Sequence, residues 1–329
     1  MNNYSKLQQS LHRFALLSDF IRKIMFDLEQ SFFLQKDHFI TDNHVFIAGL
    51  ARSGTTVLLN ALYQSKEFAS LTYDDMPFIL APNFWAKISP RKIHSSSIER
   101  AHTDGIKVTT ESPEAFEEVF WKTFNNDSKN CKEYFVNFIL LVLKKNNKTR
   151  YLSKNNQNIR RLDLINDYFP NSKILIPFRD PIQQAYSLFF QHQMFVKLQN
   201  EDNFIRCYMN LIGHSEFGLD YKTIYPLNLK YPNAIDFNHW LEQWYLTYKP
   251  ILNLSIKQKK LYLIGYESLC RDPNVWTEIK SLLGIDKDVQ FPFKEKLKDI
   301  NQDIDMKLSH KCYAIYDSLN NCSFGTYNN

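Results

Sequence analysis

From residue 45 onward, short apolar runs alternate with longer stretches in which apolar residues recur every three or four positions. The runs at 45–48, 68–72, 150–153, 173–178 and 261–266 predict strands. The clearest of these, the first and the last two, are largely continuous apolar runs rather than alternating ones, as parallel strands covered on both faces are. The intervening periods predict helices at 54–65, 113–124, 133–145, 157–168, 181–198, 237–259 and 273–283. This alternation predicts an α/β fold, three layers thick, with a central parallel sheet flanked by helices. Residues 44–329 read as one domain, with insertions near 76–110 and 200–236. Ahead of it, residues 1–43 read as a helical segment. Leu7, Leu11, Phe14, Ile21, Ile24, Leu28 and Phe32 mark one helix over 5–36. Its stripe is expected to pack on the main domain, with a homodimer contact or a membrane surface as alternatives.

The first predicted strand leads into a glycine-bearing turn, HVFIAGLARSGTTVLLNAL. Gly49 and Gly54 have the spacing of the P-loop pattern G-x-x-x-x-G-K-[ST], and Thr56 supplies its hydroxyl. Thr55 stands where that pattern has lysine. A strand–turn–helix of this kind directs backbone N–H groups and a helix N-terminus at one point, which suits an anion. Ser53, Thr55 and Thr56 add hydroxyl donors, and Arg52 adds a guanidinium. Without the lysine and an acidic metal ligand, the turn suits a smaller anion than Mg-ATP.

A second stretch, SKILIPFRDPIQQAYS, brings Arg179 out at the C-terminal tip of a buried strand, where open α/β sheets bind ligands. Asp180 is a good helix cap, Pro181 a good first helical residue, and Ser187 lies about two turns further on. Arg179 and Ser187 can clamp a second phosphate. The two sites together imply a nucleotide phosphorylated in two separate places.

These stretches resemble the sulfotransferases that use 3′-phosphoadenosine 5′-phosphosulfate (PAPS). R-S-G-T-T, Arg52 to Thr56, is similar to the family's phosphosulfate loop, and Arg179 with Ser187 to its 3′-phosphate motif. LYLIGYESLCRDPNVWTEIKSLLGI resembles the family's late strand and following helices, and implies that Tyr266 lies by the adenine. YLSKNNQNIRRL resembles the strand end near the reacting sulfate, which implies that role for Lys154. The resemblance runs, with gaps, over roughly residues 45–285. It implies PAPS as donor co-substrate, no metal, and Arg52 and Lys154 as charge stabilisers. The base is expected to be Asp75 in LTYDDMP, with Asp74, His102 and Glu111 in reserve. Glu114 reads as a first-turn residue of the helix after Pro113. Segments such as ASLTYDDMPFILAPNFW and SPEAFEEVFW are similar to those of bacterial surface-polysaccharide sulfotransferases. They imply a glycan or glycolipid-precursor acceptor. Phe78, Phe84, Trp85 and Trp121 are assigned to core packing, with sugar stacking as the alternative. A P-loop sugar or nucleoside kinase and a non-catalytic nucleotide-binding protein remain as other readings.

Composition narrows this a little. The 329 residues are 44% hydrophobic, 15% aromatic and 23% charged, with a net charge of +5. No basic run marks a nucleic-acid-binding arm, and none is expected. Five widely spaced cysteines form no C-x-x-C pair, which argues against zinc and for reduced thiols. FVNFILLVL is about half the ~20 residues a membrane span needs. With no signal peptide visible, the expectation is a bacterial cytoplasmic protein.

Overall fold

The computed structural model describes residues 5–34, 42–89, 98–99, 107–125, 129–226, 228–257, 260–289, 291, 295 and 297–325. Two helices, α1 (Lys6–Leu17) and α2 (Asp19–Phe33), precede β1 (Val45–Ile47). The chain then runs through α3 (Thr55–Gln64), β2 (Phe68–Ala69), a 3-10 turn (Tyr73–Asp75) and α4 (Pro82–Ile88). Next come a short hairpin, β3 (Ile98–Glu99) and β4 (Lys107–Val108), then α5 (Glu118–Phe124), α6 (Cys131–Asn146) and β5 (Arg150–Lys154). A second 3-10 turn (Asn156–Arg160) leads to α7 (Leu162–Tyr168), β6 (Lys173–Phe178), α8 (Pro181–Glu201) and α9 (Asn203–Ile212). The last elements are α10 (Phe237–Lys257), β7 (Leu261–Gly265), α11 (Tyr266–Arg271), α12 (Pro273–Leu283) and α13 (Met306–Asn321).

Five strands form one parallel sheet in the order β2-β5-β1-β6-β7. Both faces are covered, and successive residues of a strand enter opposite cores. Phe46, Ile174, Ile176 and Phe178 join the larger core with α5, α6, α8 and α10. Val45, Ile47 and Leu175 join the smaller one with α3 and α12. This explains the unbroken apolar runs, because neither face of the central strands meets water. From β1 the chain goes out to β2, returns through β5, then crosses to β6 and β7. Strand order therefore reverses around β1, the position where open α/β sheets have their ligand crevice, beyond the strand C-termini.

Several boundaries differ from expectation. The N-terminal stretch is two helices, because Ser18 is extended (φ −94°, ψ 122°). Its inner face is part of the domain: Ala15, Leu16, Phe26 and Phe33 join the larger core. Buried Glu29 accepts from the backbone N–H groups of Asn83 (2.6 Å) and Phe84 (3.0 Å), capping α4. The helix expected at 113–124 begins at Glu118, since Pro113 bridges to Thr72 and the Glu114 N–H bonds to the Leu71 carbonyl. The predicted insertions hold α4, the hairpin and α9. Trp121 is buried against Phe120 and Phe135, as core packing requires. The FVNFILLVL run is the buried part of α6. Among the described residues no helix is long and apolar enough to cross a membrane.

Candidate functional site

The turn after β1 is braced from beneath. Ser53 Oγ donates to the Leu50 carbonyl at 2.8 Å, and Gln184 Nε2 donates to the Ala51 carbonyl at 2.9 Å. Trp244 Nε1 in turn donates to Gln184 Oε1 and to the Arg179 carbonyl. One glutamine on α8 thus fixes the turn, and one tryptophan on α10 fixes both the glutamine and the strand tip that carries Arg179. The Ser53 hydroxyl, expected to face a ligand, is spent inside this brace. Thr55 and Thr56 open α3 and are buried. The first N–H groups of a helix have no intrahelical acceptor, and α3 aims its own at the crevice.

Gly54 is the N-cap of α3 and adopts φ 95°. A Cβ built there would lie 2.6 Å from Tyr266 Cδ2. Both the left-handed backbone and the ring require glycine. Tyr266 is therefore laid directly on the turn by β7 and α11. Arg52 also has a positive φ, 68°, uncommon for a residue with a Cβ. Its Nε donates to Ser187 Oγ at 2.9 Å. That bond joins the turn to α8.

Arg179 leaves the tip of β6 with its guanidinium carbon 5.2 Å from the centre of the Tyr266 ring. Its Nε lies 3.9 Å from Glu267 Oε1. Glu267 also accepts from the Asp180 backbone N–H at 3.0 Å and from the Tyr316 hydroxyl at 3.1 Å. Burial raises the Glu267 pKa, while those hydrogen bonds and Arg179 oppose the shift. Asp180 Oδ1 caps α8 through the Gln183 N–H, and Oδ2 accepts from the Tyr313 hydroxyl at 3.1 Å. Two tyrosines of α13 thus hold the two carboxylates beside Arg179. α13 lies far along the chain from Arg179 and carries no sequence motif that announces this contact.

Lys154 ends β5, in register with Ile47 just before the turn. Its Nζ lies 3.8 Å from Glu114 Oε1, and both side chains are buried. Glu114 also accepts from the Tyr73 hydroxyl (3.1 Å) and the Ala115 N–H (2.9 Å). The acids expected to serve as base are disposed differently. Asp75 is 1% exposed, with Oδ2 on the Thr72 N–H and hydroxyl and Oδ1 on Lys145 Nζ at 2.5 Å. It closes a capping box and a buried ion pair, which leaves it no face for a substrate. Asp74 and Glu111 are exposed. His102 lies outside the described residues. The acid that reaches Lys154 is Glu114. The Thr72–Pro113 bridge brings it beside the end of β2, and such a long-range pairing has no local sequence signal.

Arg52, Gly54, Arg179, Ser187 and Tyr266 therefore meet at one crevice edge, with Lys154 and Glu114 at the adjoining strand tip. Among the described residues no cluster of three or more His, Cys, Asp or Glu side chains is arranged to hold a metal ion. Comparison with curated proteins gave no match. Solved structures similar to this chain at low identity include three sulfotransferases. Sulfotransferase STF9 of Mycobacterium avium shares 12% identity at a TM-score of 0.49, covering 95% of this chain and 78% of that one. Sulfotransferase STF1 of Mycobacterium tuberculosis H37Rv shares 13% at 0.48, covering 94% and 81%. The sulfotransferase domain from the curacin biosynthetic pathway shares 14% at 0.43, covering 84% and 97%. The family model described as "Sulfotransferase family" matches residues 44–286, which takes in the turn, both strand tips and Tyr266. The chain is an enzyme of the sulfotransferase family.

Proposed function

We propose that this enzyme takes the sulfuryl group of PAPS and places it on a hydroxyl of a glycan or glycolipid precursor. The observation that carries the donor assignment is the Arg52–Ser187 bond. It ties the anion-binding turn to the helix that follows Arg179, making two anion subsites in one crevice. A nucleotide with a 5′-phosphosulfate and a 3′-phosphate requires two such subsites at a fixed separation. The α3 N-terminus and Arg52 take the 5′ end, Arg179 and Ser187 the 3′-phosphate, and Tyr266 the adenine. The glycine at 54 fits this use: it lets the backbone approach both the ring and the ligand.

The acceptor oxygen forms a bond to sulfur as the bond from sulfur to the phosphate oxygen breaks. The products are a sulfate ester and adenosine 3′,5′-bisphosphate. Negative charge grows on the departing oxygen, where Arg52 and the helix N–H groups stabilise it. Glu114 takes the acceptor's proton, and Lys154 beside it holds the carboxylate in place. General base catalysis of this kind contributes about 10²–10⁴-fold. The glycan or glycolipid assignment is supported by the segments around 69–85 and 112–121, which resemble those of polysaccharide-type relatives. Residues of the second insertion cover this side, with His214 Nε2 2.8 Å from the Ala115 carbonyl and Asn156 donating to Glu216.

Thermal shifts with adenosine 3′,5′-bisphosphate and with ATP, each with and without Mg²⁺, test the donor assignment. A ligand at 100 times its Kd stabilises by about 2.7 kcal/mol. The expected result is metal-independent stabilisation by the bisphosphate that Arg179→Ala abolishes. Stabilisation by Mg-ATP alone would overturn the reading in favour of a kinase. Labelled PAPS with a panel of glycans and lipid-linked sugars then tests the acceptor.

A further inference from the structure

α2 is apolar on two faces. Phe26 and Phe33 face the core, while Phe20, Ile24, Leu28 and Phe32 form an exposed row at i, i+4 spacing. α1 repeats the pattern, burying Ala15 and Leu16 and exposing Leu7, Phe14 and Leu17. The two rows meet at the Ser18 corner, where Leu17 and Phe20 are each 71% exposed. Phe32 continues the surface onto α4 through an edge contact with Phe84 at 5.4 Å, near exposed Ile88. Single exposed apolar residues need no explanation, but a continuous surface of large ones marks a contact site.

The charges around it are one-sided. Lys6, Arg13 and Lys23 on the two helices and Lys87 on α4 are exposed. α1 carries no acid. On α2, Asp19 is paired with Arg22 and Glu29 is buried under α4, which leaves Asp27 as the exposed acid outside an ion pair among the described residues. A second copy meeting this face about a twofold axis would bring the same cations together. Anionic lipid headgroups complement them, and the apolar row matches the acyl boundary beneath.

We propose that the outer face of α1 and α2 docks on an anionic bilayer surface, with the helices lying along it. The contact is peripheral. It uses none of the side chains that form the donor crevice and does not depend on the identity of the donor. Its consequence for the reaction is a higher local concentration of any lipid-borne acceptor.

The test is co-sedimentation of the full chain with vesicles of phosphatidylcholine alone and of phosphatidylcholine with phosphatidylglycerol. Expected is binding to the anionic vesicles at about 0.1 M salt and at least severalfold weaker binding at about 0.5 M. A Phe20→Ser/Ile24→Ser/Phe32→Ser variant should lose binding while keeping its melting temperature, since all three side chains are already exposed. Lys6→Glu/Lys23→Glu should weaken binding to anionic vesicles alone. Equal binding to both vesicle types, or to neither, overturns the proposal. So does a solution mass of twice the chain that the triple variant halves, because the face would then belong to a second copy.

Discussion

Arg52 Nε donates to Ser187 Oγ at 2.9 Å, across 135 residues of sequence. The arginine stands in the left-handed region at φ 68°. For a residue with a Cβ that conformation costs about 1–2 kcal/mol. The tether to α8 helps hold it there, and with it the distance between the two proposed anion subsites.

Arg52 should therefore separate stability from activity. Arg52→Gly relieves the backbone, so the melting temperature should hold or rise slightly. Turnover should fall by about 10²–10³-fold, as for other lost oxyanion donors. Ser187→Ala removes the tether and, on the proposed assignment, a 3′-phosphate donor with it, and should raise the donor KM more than it lowers kcat. Equal loss of stability and activity in Arg52→Gly would mean that the side chain only supports the turn. Thermal melts and steady-state kinetics on the two variants decide this.

The parts of this arrangement visible in sequence are local ones. The turn could be read because its glycines, hydroxyls and arginine are adjacent, and the junction at 179–181 because cap, proline and strand are contiguous. Strand β6 matches its expected bounds because five of its six residues, Ile174 to Phe178, form one apolar run. What escaped depends on contacts between distant segments. Glu114 read as a helix first-turn residue, but Pro113 pairs with Thr72 and turns the acid toward Lys154. Asp75 has the right residue type in the right region, yet Lys145 from α6 and the Thr72 cap consume its carboxylate. The break at Ser18 escaped because the apolar period continues through it.

The Glu114–Lys154 pair carries a kinetic prediction. Glu114→Gln keeps the shape and can still accept from Tyr73, so bisphosphate affinity should be unchanged. kcat should fall by about 10²–10⁴-fold. Glu114→Ala is a poor substitute, because it also removes the acceptor of the Tyr73 hydroxyl and leaves a cavity beside buried Lys154. If Glu114→Gln retains full turnover, the base lies elsewhere, and Asp74 is then the first of the exposed acids to test.

Two buried histidines set an acid limit on stability. Burial lowers the His44 pKa to about 4, helped by Arg150 and opposed by Asp42. Its Nδ1 accepts from the Tyr151 backbone N–H at 3.2 Å, a role the protonated ring cannot fill. His192 is likewise lowered to about 4, by burial and then by His239. An unfolded histidine titrates near 6.5. The unfolded chain thus binds the extra protons, and each site's contribution is complete above about pH 6.5 and lost as pH falls toward 4. A shift of this size corresponds to roughly 3 kcal/mol per site. Glu29 and Glu267, whose pKa values burial raises, act with the opposite sign. Comparison of variants isolates the histidines: His192→Leu should show a smaller drop in melting temperature between pH 7.5 and 4.5 than the parent chain. An unchanged drop would exclude His192 as a contributor.

Helix α13 lies beyond the residues matched by the family model, yet it reaches the donor crevice. The Tyr316 hydroxyl donates to Glu267 Oε2, and Glu267 Oε1 faces both Arg179 and the Asp180 N–H. The Tyr316 ring also meets Phe178 edge-on at 5.8 Å. Phenylalanine at 316 would keep that ring contact and lose only the hydrogen bond. Glu267 would then keep its own backbone N–H, the Asp180 N–H and Arg179, and Arg179 would lose part of the restraint that aims it. A hydrogen bond to a charged group contributes about 1.5–3 kcal/mol, shared between folding and binding. Tyr316→Phe should therefore weaken adenosine 3′,5′-bisphosphate binding by roughly 3–10-fold, with kcat at saturating donor unchanged. Tyr313→Phe, which acts on Asp180 rather than on the carboxylate that touches Arg179, should have the smaller effect on affinity. Calorimetric titration of both variants checks the order. Equal affinities in parent and variants would reduce α13 to a structural cover.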